Sequence, residues 1–100
     1  MARFDLFRSR SGAVGYLLDV QANALERLET RVLIPLTPLG RSTIPARQLN
    51  PQFDIEGEPH ILQTQWLASV GRNRLGRRVG TLGEYWDEIT RALDMLLTGF

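Results

Sequence analysis

The region from residue 81 to residue 100 has apolar side chains three and four positions apart, which is the spacing of an amphipathic helix. Thr81 and Glu84 have the T-x-x-E spacing of a capping box, so we expect the helix to begin there. A helix of this kind must bury its apolar face against another layer of the protein. The residues predicted to face the core are Tyr85, Trp86, Ile89, Leu93 and Leu96.

The chain before this helix is typical of short strands separated by turn residues. Strand-like runs lie at residues 4–7, 13–20, 31–36, 53–55 and 60–65. We expect the third run to end or bulge at Pro35, residues 21–29 to form a loop with one helical turn, and residues 71–80 to form a basic loop. The pattern predicts a mainly β protein with a C-terminal helix, as an antiparallel, partly open barrel in one domain covering residues 1–100.

The composition excludes several classes of function. The chain has no cysteine and only one histidine, His60, so we expect no disulfide, no thiol nucleophile and no metal site. No acid–base pair stands out in the sequence, so we also expect no catalytic residue and no cofactor. It lacks a signal-peptide core and any apolar run of about 20 residues. A cytoplasmic protein without membrane contact is therefore expected. The net charge of +1 gives no indication of sequence-specific nucleic acid binding.

All basic residues of the chain are arginines. The planar guanidinium group suits bidentate contacts with carboxylates, including those of disordered acidic segments. We expect Arg10, Arg77 and Arg78 to bind such a segment in a partner. The other interpretation is that the arginines of residues 71–80 form a solvated loop beside the acidic start of the helix.

Two interpretations of the C-terminal residues remain open. In one, Gly99 ends the helix in a left-handed conformation and Phe100 packs against the sheet. In the other, the terminal apolar residues are exposed and anchor a partner protein.

Four segments occur in order along the chain: Leu18-Asp19-Val20-Gln21, Val32-Leu33-Ile34-Pro35-Leu36, Leu67-Ala68-Ser69-Val70 and the terminal helix with its apolar-Gly-apolar end. Together they resemble the CcdB family, the toxins of plasmid and chromosomal toxin–antitoxin modules. The resemblance implies an SH3-like barrel, as in the MazF and Kid ribonuclease toxins, and a homodimer. It also implies that the chain inhibits DNA gyrase without catalysis, by binding the A subunit and trapping the cleaved complex. A CcdA-like antitoxin is the implied partner.

The same resemblance assigns the gyrase contact to residues of this chain. Thr98, Gly99 and Phe100 match the family's terminal Trp-Gly-Ile, and the further contacts fall on Ala24, Leu25, Asp94 and Leu97. Threonine has no π-face, so Thr98 cannot form the cation–π contact that the family's tryptophan makes with a gyrase arginine.

Two alternative functions follow. One is a homologue that has lost gyrase binding and binds only its antitoxin. The other is an mRNA endonuclease of the same fold, in which phosphate is held by one or more of Arg10, Arg31, Arg72 and Arg74.

Overall fold

A computed structural model describes residues 2–10, 15–41 and 45–99. The described residues form seven strands, one α-helix and five short 3-10 turns. The strands are β1 (Asp5–Ser9), β2 (Tyr16–Asp19), β3 (Thr30–Pro38), β4 (Gln52–Ile55), β5 (Glu58–Leu62), β6 (Ala68–Gly71) and β7 (Leu75–Thr81). The helix α1 spans Trp86–Thr98. The 3-10 turns are Asn23–Leu25, Leu39–Arg41, Thr64–Trp66, Arg72–Arg74 and Gly83–Tyr85.

The strands form one antiparallel sheet in the order β4-β5-β3-β2-β1-β7, and β6 also pairs with β3. Strand β3 is central: residues 33–36 pair with β2 on one side. On its other side, residues 30–33 pair with β6 and residues 36–38 pair with β5. The sheet curls until its two edges, β4 and β7, line one narrow cleft. The result is a partly open barrel with a C-terminal helix, which confirms the predicted fold class.

The inner face of the sheet holds the main apolar core. Successive side chains of a strand point to opposite faces, and Val32, Ile34 and Leu36 of β3 belong to one apolar cluster. Ile89 joins the same cluster from α1 and is 0% exposed. Each fully buried side chain of this kind contributes roughly 1.5–3 kcal/mol. The helix therefore covers the inner face, as its apolar stripe predicts.

The helix begins later than the capping box predicts. It starts at Trp86, and no side chain caps its first turn. The Thr81 hydroxyl accepts a hydrogen bond from the Gly83 amide at 3.0 Å and donates one to the Phe4 carbonyl at 3.3 Å. The prediction of a capping box was therefore wrong. Thr81 belongs to the last residue pair between β7 and β1, and its hydroxyl bonds to Phe4 and Gly83 instead of capping the helix.

The prediction that Trp86 faces the core was also wrong, since its side chain is 58% exposed. Ile89 and Ala92, both fully buried, fix the direction in which the helix faces the sheet. Trp86 lies about 60° and 120° around the helix axis from these two residues. It is therefore on the flank of the helix rather than on its buried face.

The prediction of a basic loop over residues 71–80 was wrong. Residues Arg72–Arg74 form a turn, and β7 then pairs with β1. Leu75 at the start of β7 is buried against Phe7 and Leu33. Pairing with the free edge of β1 and burial of Leu75 outweigh the weak strand propensity of a segment rich in glycine and arginine.

The strand-like runs at residues 53–55 and 60–65 correspond to β4 and β5, which pair as a hairpin, although β5 spans Glu58–Leu62. Residues 21–29 contain the predicted single turn, Asn23–Leu25. Strand β3, in contrast, continues through Pro35 to Pro38. No helix within the described ranges is long and apolar enough to cross a membrane.

Candidate functional site

The C-terminal end of α1 is exposed. Leu97 is 71% exposed, and Asp94, Thr98 and Gly99 are also at the surface. Gly99 has a left-handed backbone with φ +81°, and its amide donates to the carbonyls of Asp94 at 3.1 Å and Met95 at 3.2 Å. A left-handed glycine cap is one of the standard ends of a helix, and this part of the first interpretation is confirmed. Phe100 lies outside the described residues.

The second part of the predicted gyrase contact lies in the turn Asn23–Leu25. Ala24 and Leu25 are both exposed there, Leu25 by 49%. The turn is held by its neighbours, since the Arg3 amide donates to Asn23 Oδ1 at 2.7 Å and Gln21 Nε2 donates to the Leu25 carbonyl at 2.8 Å. Its apolar side chains are thus presented to solvent on a fixed backbone.

The exposure of two tryptophans was not predicted from the sequence. Trp86 and Trp66 are 58% and 48% exposed. Trp86 and Leu97 are eleven positions apart, so they share one flank of α1. Leu93, in contrast, packs against the core, as predicted. A helical projection centred on Ile89 and Ala92 would have separated this flank from the buried face. Exposed large apolar side chains that share one flank are typical of protein interaction surfaces.

The arginines predicted to bind a partner differ in their surroundings. Arg78 forms an ion pair with Asp5 at 3.2 Å. Arg10 and Arg77 are exposed, and neither has an ion pair among the residues that the structure describes. Arg10 lines a groove of about 540 Å³ together with Arg74, which the sequence analysis did not assign to this contact. Arg77 and Arg78 do not line it.

The phosphate-binding role considered for Arg31 is wrong. Its side chain is 0% exposed, Nε donates to Asp19 Oδ2 at 2.9 Å, and Nη2 lies 2.7 Å from the same oxygen. Arg72 uses its guanidinium group to donate to the Glu26 carbonyl at 2.7 Å. Of the four arginines considered, only Arg10 and Arg74 are exposed without such a contact inside the described part of the chain.

A polar cluster joins the β4–β5 turn to the first two strands. Glu56 accepts hydrogen bonds on Oε1 from the Tyr16 hydroxyl at 2.6 Å and from Arg8 Nη2 at 2.9 Å. The His60 ring packs edge-on against Tyr16 with centroids 5.0 Å apart, and its Nδ1 lies 3.0 Å from the Glu58 carbonyl. Burial raises the pKa of the Tyr16 phenol, and the hydrogen bond and negative charge of Glu56 raise that pKa further.

This cluster contains the residue types of acid–base chemistry, but its groups satisfy one another. The Glu56 carboxylate is bound by two donors, Tyr16 is held neutral, and His60 is only 3% exposed. A general base has to reach the proton that it removes, and the paired Glu56 carboxylate and the buried His60 ring do not meet this requirement. The hydrogen bonds of the cluster instead hold the β4–β5 hairpin against β1 and β2. Among the described residues, no group of three or more potential metal ligands occurs.

A family model described as CcdB protein matches residues 3–99. The chain belongs to the CcdB family. An endoribonuclease in complex with its cognate antitoxin, from a mycobacterial species, has a similar structure with a TM-score of 0.75 and 18% identity. The match covers 97% of this chain and 94% of that chain. At this identity the similarity concerns the fold. No curated protein matches the chain.

Membership of the CcdB family identifies the chain as a toxin of the toxin–antitoxin type. Thr98 is the position that the resemblance matches to the family's terminal tryptophan. The Thr98 hydroxyl donates to the Asp94 carbonyl at 2.7 Å. This side chain is therefore bonded to its own helix, and the exposed apolar surface at the helix end comes from Leu97.

Proposed function

We propose that this CcdB-family toxin acts by binding the A subunit of DNA gyrase through the C-terminal end of α1, which traps the cleaved-DNA complex without catalysis by the toxin. The observation that carries the proposal is the 71% exposure of Leu97 at the end of a helix whose other leucines are partly buried. A large apolar side chain at an exposed helix end, on a rigid and capped backbone, has the character of an interface anchor.

The contact differs from the one that an aromatic residue would make. Leu97 offers apolar area, and the exposed Asp94 carboxylate offers an acceptor for a gyrase arginine. Ala24 and Leu25 extend the apolar contact from the turn Asn23–Leu25. Thr98, Gly99 and Phe100 complete the predicted set, with Gly99 fixing the direction in which the chain leaves the helix.

Calorimetric titration of the purified protein with the isolated dimerisation region of gyrase A tests this proposal. We expect micromolar or tighter binding by the wild type and a loss of at least about tenfold for Leu97→Asp, because a desolvated anchor is worth on the order of 2 kcal/mol. Leu39→Asp is the matched control, since Leu39 is 41% exposed in another turn, Leu39–Arg41. Equal losses for the two variants would contradict the proposed contact.

The result also distinguishes the alternative of a toxin that has lost its target. If the folded wild type does not bind the gyrase fragment at high concentration, the gyrase assignment is wrong. Binding to the antitoxin alone would then be the remaining function within the family.

We further propose that the chain is a cytoplasmic homodimer with a CcdA-like antitoxin as its partner. Exposed Trp66 and Trp86 support a self-association surface, because tryptophan is enriched at interfaces and is costly to leave in water. Sedimentation of the wild type should give a dimer, and Trp86→Ser should shift the equilibrium towards monomer. A wild type that sediments as a monomer at all concentrations would contradict the homodimer.

A further inference from the structure

The turn Asn23–Leu25 follows the point where the pairing of β2 with β3 becomes irregular. Continued by one residue, the register of the two strands places Val20 opposite Val32, and the Val20 amide donates to the Val32 carbonyl at 3.0 Å. In a regular antiparallel pair, the Val32 amide would donate back to the Val20 carbonyl. It donates instead to Gln21 Oε1 at 3.0 Å. The Gln21 side chain therefore takes the place of a backbone carbonyl at the end of the ladder.

The other end of the Gln21 side chain holds the turn itself. Its Nε2 donates to the Leu25 carbonyl at 2.8 Å, and the same carbonyl accepts from the Leu28 amide at 3.2 Å. Gln21 is only 6% exposed, whereas Leu25 is 49% exposed. One buried amide group thus bonds both to a core strand and to the backbone of an exposed apolar residue.

The backbone of Gln21 connects this bridge to the buried charge pair. The Gln21 amide donates to Asp19 Oδ1 at 3.0 Å, while Asp19 Oδ2 accepts from Arg31 Nε at 2.9 Å. Asp19 and Arg31 are both 0% exposed. One oxygen of the carboxylate therefore bonds to the core and the other bonds to the residue that holds the turn. Because hydrogen bonds to a charged group are stronger than those between neutral groups, the backbone of Gln21 is firmly anchored.

Other contacts of the turn act at different points. The Arg3 amide donates to Asn23 Oδ1 at 2.7 Å, and Arg72 Nη2 donates to the Glu26 carbonyl at 2.7 Å. These bonds hold the residues at the start of the turn and directly after it. Gln21 holds Leu25 itself, which carries the exposed apolar side chain.

We propose that Gln21 is a positioning residue for the target contact. The hydrogen-bonded chain that runs from Arg31 through Asp19 to Gln21 fixes the backbone of Leu25, so that its side chain is held in the binding conformation before the target arrives. The inference rests on the proposed gyrase contact and adds to it a buried residue that acts through Leu25. Such preorganisation raises affinity, because the conformational entropy of the turn is lost on folding rather than on binding.

Amide hydrogen exchange of the full-length protein measures the order of the turn. In Gln21→Met a side chain of similar length forms neither hydrogen bond, and we expect the Leu25 and Leu28 amides to exchange about tenfold faster. Gln63→Met is the matched control, because Gln63 is 1% exposed and donates to Thr37 Oγ1 at 3.0 Å, towards the other end of β3. It should leave the exchange of both turn amides unchanged.

Calorimetric titration with the isolated dimerisation region of gyrase A measures the consequence for binding. We expect Gln21→Met to bind about fivefold more weakly than the wild type, because the backbone of the turn must then be ordered on binding. Gln63→Met should bind with wild-type affinity. In the Leu25→Ala background, Gln21→Met should have no further effect, because the side chain that it positions is absent.

Three outcomes would overturn the proposal. These are unchanged exchange of the turn amides in Gln21→Met, equal losses of affinity for Gln21→Met and Gln63→Met, or the same loss for Gln21→Met in the Leu25→Ala background. A wild type that does not bind the gyrase fragment would overturn the proposed function instead. The exchange experiment would still decide whether Gln21 orders the turn, so the two failures can be told apart.

Discussion

The two faces of strand β3 are buried by different means. On the inner face, Val32, Ile34 and Leu36 pack into the core that α1 completes. On the outer face, Arg31 forms its buried ion pair with Asp19, Leu33 joins a smaller apolar cluster, and Pro35 lines the basic groove. The inner face is held by apolar packing, whereas the outer face combines a buried charge pair and a small apolar cluster with Pro35, which remains partly accessible. Both faces therefore contribute to stability, and the accessible surface lies on the outer face.

Breaking the charge pair on the outer face should have the largest effect. Arg31→Ala leaves Asp19 buried without its partner, and we expect a loss of about 3–5 kcal/mol in the free energy of unfolding. Urea denaturation measures this loss. Arg91→Ala is the control, because Arg91 pairs with Asp87 on the exposed helix surface, where such a pair contributes only about 0.2–0.5 kcal/mol.

The double variant Asp19→Leu/Arg31→Met sharpens the same comparison. If the loss arises from an orphan charge, the double variant should recover much of the stability, because apolar side chains of similar volume can replace a buried pair. A double variant as unstable as Arg31→Ala would show that shape, rather than charge, holds the outer face.

Removing volume from the inner face should rank next. Ile89→Ala leaves a cavity in the core that α1 completes, and we expect a loss of about 2–5 kcal/mol. The effect should appear in urea denaturation as a lower midpoint with little change in slope. Leu97→Ala, on the exposed end of the same helix, should change stability by less than about 0.5 kcal/mol. Similar losses for both variants would mean that the helix end is packed.

The junction of β1 and β7 should be sensitive to one added methyl group. A Cβ at Gly76 would clash with the backbone carbonyl oxygen of Arg8. We expect Gly76→Ala to cost roughly 1–3 kcal/mol, because the backbone of one strand must move. Chemical shifts of β1 and β7 would report the movement, and unchanged shifts with full stability would contradict this geometry.

The smallest predicted effect concerns pH. The pKa of Tyr16 is raised in the folded state, so its contribution is fully present below the ordinary tyrosine pKa of about 10 and is lost as the pH rises through the folded-state value. Tyr16→Phe also removes the hydrogen bond to Glu56, which costs about 1 kcal/mol. Unfolding free energies measured at increasing alkaline pH should fall less steeply for this variant. Equal slopes would contradict the prediction.

The outer face of β3 shows why some residues at the groove could not be identified from the sequence. The run from Arg31 to Leu36 has no strict polar–apolar alternation, because both faces of β3 are covered and most of its side chains are buried. Nothing in that run indicates that Arg31 is buried or that Pro35 borders a groove. Arg74 was considered for phosphate, but its position beside Arg10 depends on the turn that precedes β7.

The sequence by itself determined the helix, most of the strands, the mainly β class and the family, because these depend on local periodicity and on short segments in order. Only the tertiary structure decided which charges are buried, which flank of α1 is exposed and which arginines line the same groove. Those features depend on contacts between residues far apart in the chain, such as Arg31 with Asp19 and Arg8 with Glu56. The burial of an individual charged or flanking side chain depends on how the sheet and the helix assemble, and local spacing alone does not specify it.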